Sequence, residues 1–153
     1  MVQMLGILWI SGGMARSADW PNYRGPDHNG SSQETDWQTD WDAQEPKILW
    51  TKSIGFGFGS VAVADGRAYL MGNTGKEGDN ANTDIVYCVD AESGKEIWRH
   101  EYPCLLQPRL HEGGPLATPT VDGKVVYTLS RMGDLFCFNA ASGEIIWQKQ
   151  LAD

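Results

Sequence analysis

The chain has 153 residues, enough for one domain with a sizeable core. Twelve Lys and Arg against 20 Asp and Glu leave a net charge of -8. That balance argues against a nucleic-acid partner, which needs a basic stripe, and against docking on an anionic membrane surface. Eighteen Gly and seven Trp, among many β-branched residues, predict an all-β architecture.

At the N-terminus Leu5 to Ile10 form a short apolar run, followed by small residues at Gly13, Ala15, Ser17 and Ala18. Gly13-x-Ala15 and Ala15-x-Ser17 satisfy the small-x-small rule, so residues 1–17 read as a signal peptide and the chain as exported, periplasmic or extracellular. No side-chain positive charge precedes the run, and the run is too short to span a bilayer as a helix. Residues 18–46 read as an N-terminal arm, and 47–153 as a repeat region.

Within that region, Asp90-Ala-Glu-Ser-Gly94-Lys-Glu-Ile-Trp98 lies over Asn139-Ala-Ala-Ser-Gly143-Glu-Ile-Ile-Trp147, with their ends 49 residues apart. Upstream, Val63-Ala-Asp65-Gly66-Arg-Ala-Tyr69 lies over Thr120-Val-Asp122-Gly123-Lys-Val-Val-Tyr127, and the first unit carries a longer internal loop from Asn73 to Thr83. Trp50 precedes Trp98 by 48 residues and closes a similar stretch from Asp42; residues 47–52 are expected to form a lone outer strand.

Each unit reads as four short strands. Ser60–Ala64, Ala68–Met71, Ile85–Val89 and Glu96–Arg99 form the first, within 59–100. Thr118–Val121, Val125–Leu129, Leu135–Phe138 and Ile145–Lys149 form the second, within 116–149. Asp-Gly at 65–66 and 122–123 is expected to turn the first hairpin of each unit, and Ser-Gly at 93–94 and 142–143 to lead into the last strand. Strands such as Ile85-Val-Tyr-Cys-Val89 are apolar on both faces, the pattern of a sheet packed between two others. Four short strands in 40–50 residues, buried on both faces, describe a propeller blade.

This unit resembles the tryptophan-docking repeat of the pyrroloquinoline-quinone-like propellers, written A-x-D-x-x-T-G-x-x-x-W. Asp90, Gly94 and Trp98 fit it, with Ser93 for Thr; Gly143 and Trp147 fit it, with Ser142 for Thr and Asn139 for Asp. Cys88 and Cys137 stand where Ala is usual, a site a small apolar thiol can fill. Asp19-Trp-Pro-Asn-Tyr-Arg-Gly-Pro-Asp-His-Asn-Gly30 is similar to the N-terminal arm of exported bacterial members. The resemblance implies antiparallel four-stranded blades in an eight-bladed ring, of which this chain supplies two and one outer strand, and so a fragment whose partners are the remaining blades of a parent chain. It implies that Trp50, Trp98 and Trp147 pack between adjacent blades, with Gly94, Gly143, Asp90 and Asn139 shaping the docking turns. Trp50 and Trp147 are then expected to be more exposed than Trp98, and the isolated chain unstable or self-associating.

Other constellations carry less. Gly55-Phe-Gly57-Phe-Gly59 has the wrong spacing for a phosphate loop and leads into a strand, as a flexible approach to it. Asn80-Ala-Asn82-Thr-Asp84 lacks the glycine a calcium loop needs, so a solvated loop is expected. His28, His100 and His111 stand apart from any ligand at metal-site spacing, and no serine sits in G-x-S-x-G. Asn29-Gly30-Ser31 is a glycosylation sequon, informative only in a eukaryotic secretory host. Cys88 and Cys137 fall on equivalent strands of neighbouring blades, about 10 Å apart, which favours free thiols over a disulfide. No catalytic residue and no metal ligand is nominated.

Three functions remain open. The first is a non-catalytic exported module for binding or scaffolding, with a protein partner. The second is part of a quinone-dependent dehydrogenase, for which the resemblance implies pyrroloquinoline quinone and a calcium ion near the propeller axis; adjacent cysteines and a carboxylate/Asn cluster would mark it. The third is a lipoprotein partner in outer-membrane protein assembly, which calls for a lipobox cysteine near the cleavage site; none precedes Cys88.

Overall fold

A computed structural model of the chain describes residues 18–35, 38–43, 45–75, 82–108 and 112–152. The expected signal peptide at 1–17 lies outside the described residues. No helix occurs among the described residues, and eight strands form two four-stranded antiparallel sheets. The first sheet is β1 (Ala62–Ala64), β2 (Arg67–Asn73), β3 (Thr83–Asp90) and β4 (Glu96–Pro103). The second is β5 (Thr120–Asp122), β6 (Val125–Leu129), β7 (Asp134–Asn139) and β8 (Ile145–Gln150). Each sheet follows chain order, so every connection within it is a hairpin.

The registers repeat from sheet to sheet. Tyr69, Cys88 and Trp98 stand opposite one another across the first, as Tyr127, Cys137 and Trp147 do across the second. A register shift follows Cys88 and another follows Cys137, each just ahead of the Ser-Gly turn.

The first hairpins differ. Ala64 pairs with Arg67, leaving Asp65-Gly66 as a two-residue turn with positive φ at both positions, 50° and 71°, as a type I′ turn requires. In the second sheet Asp122 pairs with Val125, so the turn is Gly123-Lys124, and only Gly123 has positive φ, 55°. The expected turn at 122–123 is therefore shifted by one residue. The second unit has one more residue between Asp-Gly and its tyrosine, and a type II′ turn absorbs it.

Strand alternation gives the first sheet two apolar faces. One packs on the second sheet: Ala62, Ala64, Tyr69, Met71, Val86, Cys88, Trp98 and Tyr102 share a core with Val121, Val126, Phe136, Phe138 and Ala140. The other buries Ala68, Leu70, Ile85, Tyr87 and Val89 beneath Trp50 and Ile54, with Val63 of β1 beside Ala68 on the same face. Residues 47–52, expected as an outer strand, make no ladder and are assigned no strand. Side chains hold this segment instead: Trp50 docks on the first sheet, and Lys52 pairs with Glu96 at 2.9 Å while lying over the Tyr87 ring.

The N-terminal arm straps the two short first strands together. Trp20 and Val63 exchange backbone hydrogen bonds of 2.8 and 2.9 Å, and one residue on the Val121 N–H donates to the Pro21 carbonyl at 2.7 Å. Beyond it, Gly25 (φ 76°) lies so close to the Trp20 ring that a Cβ would meet it at 2.8 Å. The glycine-rich approach is packed rather than free: a Cβ at Gly55 would collide with the Asn73 carbonyl oxygen, and one at Gly59 with that of Ala117.

Candidate functional site

The repeated residues converge on two sockets, each made by the turn between the third and fourth strands of a sheet. In the first, the Asp90 carbonyl accepts the Gly94 N–H at 2.9 Å, and its carboxylate Oδ1 accepts the Ser93 N–H at 2.8 Å and the Ser93 hydroxyl at 2.6 Å. Those Ser93 bonds hold the Asp90 carboxyl below its ordinary value. In the second, Asn139 Oδ1 accepts the Ala141 and Ser142 N–H groups at 2.9 and 3.1 Å, and its carbonyl accepts that of Gly143 at 2.9 Å. An amide oxygen replaces the carboxylate because the turn asks only for an acceptor.

Each turn receives an indole from the preceding segment. The Trp50 Nε1–H donates to the Ala91 carbonyl at 3.0 Å, and the Trp98 Nε1–H to the Ala140 carbonyl at 3.0 Å. The Tyr69 hydroxyl donates to the same Ala140 oxygen at 3.1 Å, so that carbonyl takes two donors. The glycines sit under the rings at φ 68° and 73°, and a Cβ on Gly94 or Gly143 would lie 2.5 Å from Trp50 or Trp98. Only glycine satisfies both the conformation and the approach. Trp98 is 8 % exposed and packs on Tyr69 and Phe138, with ring centroids at 6.0 and 5.7 Å. Trp147, on the equivalent strand, is 40 % exposed and touches the Tyr127 ring at 5.9 Å.

A second cluster, at the opposite end of the first sheet, was not foreseen from the sequence. Asn82 and Asp84, expected in a solvated loop, are buried; Asn80 lies outside the described residues. Asp84 is the second residue of β3 and lies on the face towards the second sheet. Asn73 Nδ2 donates to its Oδ1 at 2.7 Å and to the Cys104 carbonyl at 3.0 Å, and the Tyr102 hydroxyl lies 3.4 Å from Oδ2. Burial pushes the Asp84 carboxyl up, opposed by these bonds. Arg131 Nη1, from the β6–β7 turn, donates to the Leu106 and Gln107 carbonyls at 2.7 and 2.9 Å and so ties the linker to the second sheet. The available signal was an Asp heading an otherwise apolar strand, which needs a partner if the strand is buried on both faces.

Cys88, Cys104 and Cys137 are free and buried. His100 is half-buried against Tyr102, Phe136 and Phe138, and burial lowers its pKa; His111 lies outside the described residues. Among the described residues no three His, Cys, Asp or Glu side chains gather around one point. Both Asp84 oxygens already have partners, and the dispersed cysteines form no adjacent pair. These residues do not make a cradle for calcium and a quinone.

Stacked four-stranded sheets joined by an indole set into the next sheet's turn define a β-propeller repeat protein. A family model described as "Outer membrane protein assembly factor BamB" matches residues 81–153. The Escherichia coli (strain K12) protein of that name is 28 % identical over 118 residues, 70 % of this chain and 27 % of its own length. The quinoprotein alcohol dehydrogenase PedH of Pseudomonas putida is 34 % identical over 91 residues, 59 % of this chain and 14 % of its own length. Among solved structures, quinohemoprotein alcohol dehydrogenase from Comamonas testosteroni shares the fold, with a TM-score of 0.60 and 17 % identity over 89 % of this chain and 20 % of that one. The repeats are thus of the pyrroloquinoline-quinone-like propeller type, and the chain spans about a quarter or less of the length of these relatives.

Proposed function

We propose that this chain is a non-catalytic propeller-repeat module that binds or scaffolds other proteins outside the cytoplasm. One observation carries the reading: the repeated side chains are committed to assembly. Asp90 and Asn139 close their turns, Gly94 and Gly143 admit the indoles, and Trp50 and Trp98 fill the sockets. Trp147 then presents the indole half of a further joint, so that additional blades of a larger chain complete the ring. The division into a leader at 1–17, an arm at 18–46 and blades at 59–100 and 116–149 belongs to the same proposal. The similarity to a protein named as an outer membrane protein assembly factor supports a protein partner and export. The acidic balance supports a partner other than nucleic acid. Among the described residues no helix is long and apolar enough to cross a membrane.

The similarity to a quinoprotein alcohol dehydrogenase favours a second reading, a segment of a quinone-dependent enzyme with its quinone and ion ligands on other blades. Dye-linked oxidation of primary alcohols by the purified chain, with pyrroloquinoline quinone and calcium added, separates the two. The scaffold reading expects turnover no faster than the quinone-and-calcium blank. Saturable turnover above that blank would reject it in favour of the enzyme.

A further inference from the structure

Arg67 is out of keeping with its position. It opens β2 in register with Ala64 and Asp90, and alternation sets it on the same face as Tyr69 and Met71, the face packed on the second sheet. The equivalent residue of the second sheet, paired with Asp122 and Asn139, is Val125. The repeat itself therefore does not call for a guanidinium at this position.

The guanidinium hydrogen-bonds the Tyr69 side chain but leaves one donor unused. Its Nε is buried without a hydrogen-bond acceptor, and the ion pairs among the described residues join Lys52 to Glu96 and Arg99 to Glu96 and Glu101. A buried N–H without an acceptor forfeits its hydration for nothing in return, and such a group in a folded chain calls for an explanation. Beside it, at the Asp65-Gly66 and Gly123-Lys124 end of the two sheets, is a cleft of about 220 Å³. Its walls carry Ala64, Val121 and Ala140 as well as Tyr69, and Lys124 brings a second cation from the other blade. Asp65 brings one negative charge. Among these lining side chains one positive charge is in excess, which suits a monoanion better than a phosphate dianion, and a carboxylate matches the planar fork of arginine. The aliphatic walls suit a short hydrocarbon tail.

We infer that this interblade cleft is a binding site for a small aliphatic carboxylate, with Arg67 as the anion ligand and Lys124 as a supporting cation. The test is a titration of the full chain with isovalerate, and in parallel with isovaleramide, its neutral isostere, followed by NMR at the arginine Nε–H groups and at the Val121 methyls. The Arg67 signal is assigned by its loss in Arg67→Gln. The expected result is a saturable shift at the Arg67 Nε–H and at Val121 with millimolar isovalerate, at least about tenfold weaker with isovaleramide, about 1.4 kcal/mol. Equal responses to acid and amide would make the cleft an apolar crevice and overturn the site, as would no saturable response to isovalerate. If Arg67→Gln fails to fold, the Val121 methyls of the parent chain still decide between acid and amide.

Discussion

The two sheets share strand order, register, bulge position and socket turn, yet they bury their last strands differently. In β4 the inward residues Trp98 and Tyr102 are covered, whereas every residue of β8 is exposed. The first sheet has apolar cover on both faces, from the second sheet on one side and from Trp50 and Ile54 on the other. The second sheet is covered on the face turned to the first, and on its other face Trp147, Leu129 and Tyr127 have no such layer among the described residues. One sequence pattern thus yields a core residue or a surface residue depending on whether a following socket receives the indole. The repeat specifies half of a joint; the neighbour supplies the rest.

Truncating the two equivalent tryptophans should break that comparison most sharply. Trp98→Ala removes a buried ring and leaves the Ala140 socket empty, and should cost about 3–5 kcal/mol in urea denaturation. Trp147→Ala removes a half-exposed ring and should cost less than about 1 kcal/mol. Equal losses would mean that Trp147 is already seated in a joint of its own.

A smaller effect is expected at the other end of the first sheet, which has no counterpart in the second. Asp84 has its folded pKa raised by burial, so its contribution to stability is fully present below the ordinary carboxyl value of about 3.9 and is lost as pH rises through the folded value. Asp84→Asn keeps an acceptor for Asn73 and carries no charge. Its melting temperature should therefore vary less with pH than the parent's over the range from about pH 4 to neutrality, and should overtake it at the upper end. A parent curve that instead rises through this range at position 84, judged by difference from the variant, would show that the hydrogen bonds outweigh burial.

The smallest difference concerns the thiols. Burial pushes Cys88 up to about 11 and Cys104 up to about 12, leaving little thiolate of these two near neutrality. Cys137 is buried as well. A colourless-to-coloured disulfide exchange reagent should label none of the three in the native chain at pH 8 and all three after denaturation. Prompt labelling of Cys137 ahead of Cys88 would show that the second sheet opens locally before the first.

Much of this architecture is written locally. Alternation, Ser-Gly and Asp-Gly pairs and evenly spaced tryptophans determine which residues pair within a sheet, because hairpin turns and side-chain period act over a few residues. Even so, one extra residue before Tyr127 moved the second hairpin turn from Asp122-Gly123 to Gly123-Lys124. Only the tertiary structure decided what lies between sheets: that the indole of Trp98 reaches the carbonyl of Ala140, that Asp84 is enclosed with Asn73 and Tyr102, and that Arg67 faces a cleft beside Lys124. Those contacts join residues far apart in the chain across stacked faces, and no local pattern encodes the distance or rotation at which one sheet meets the next.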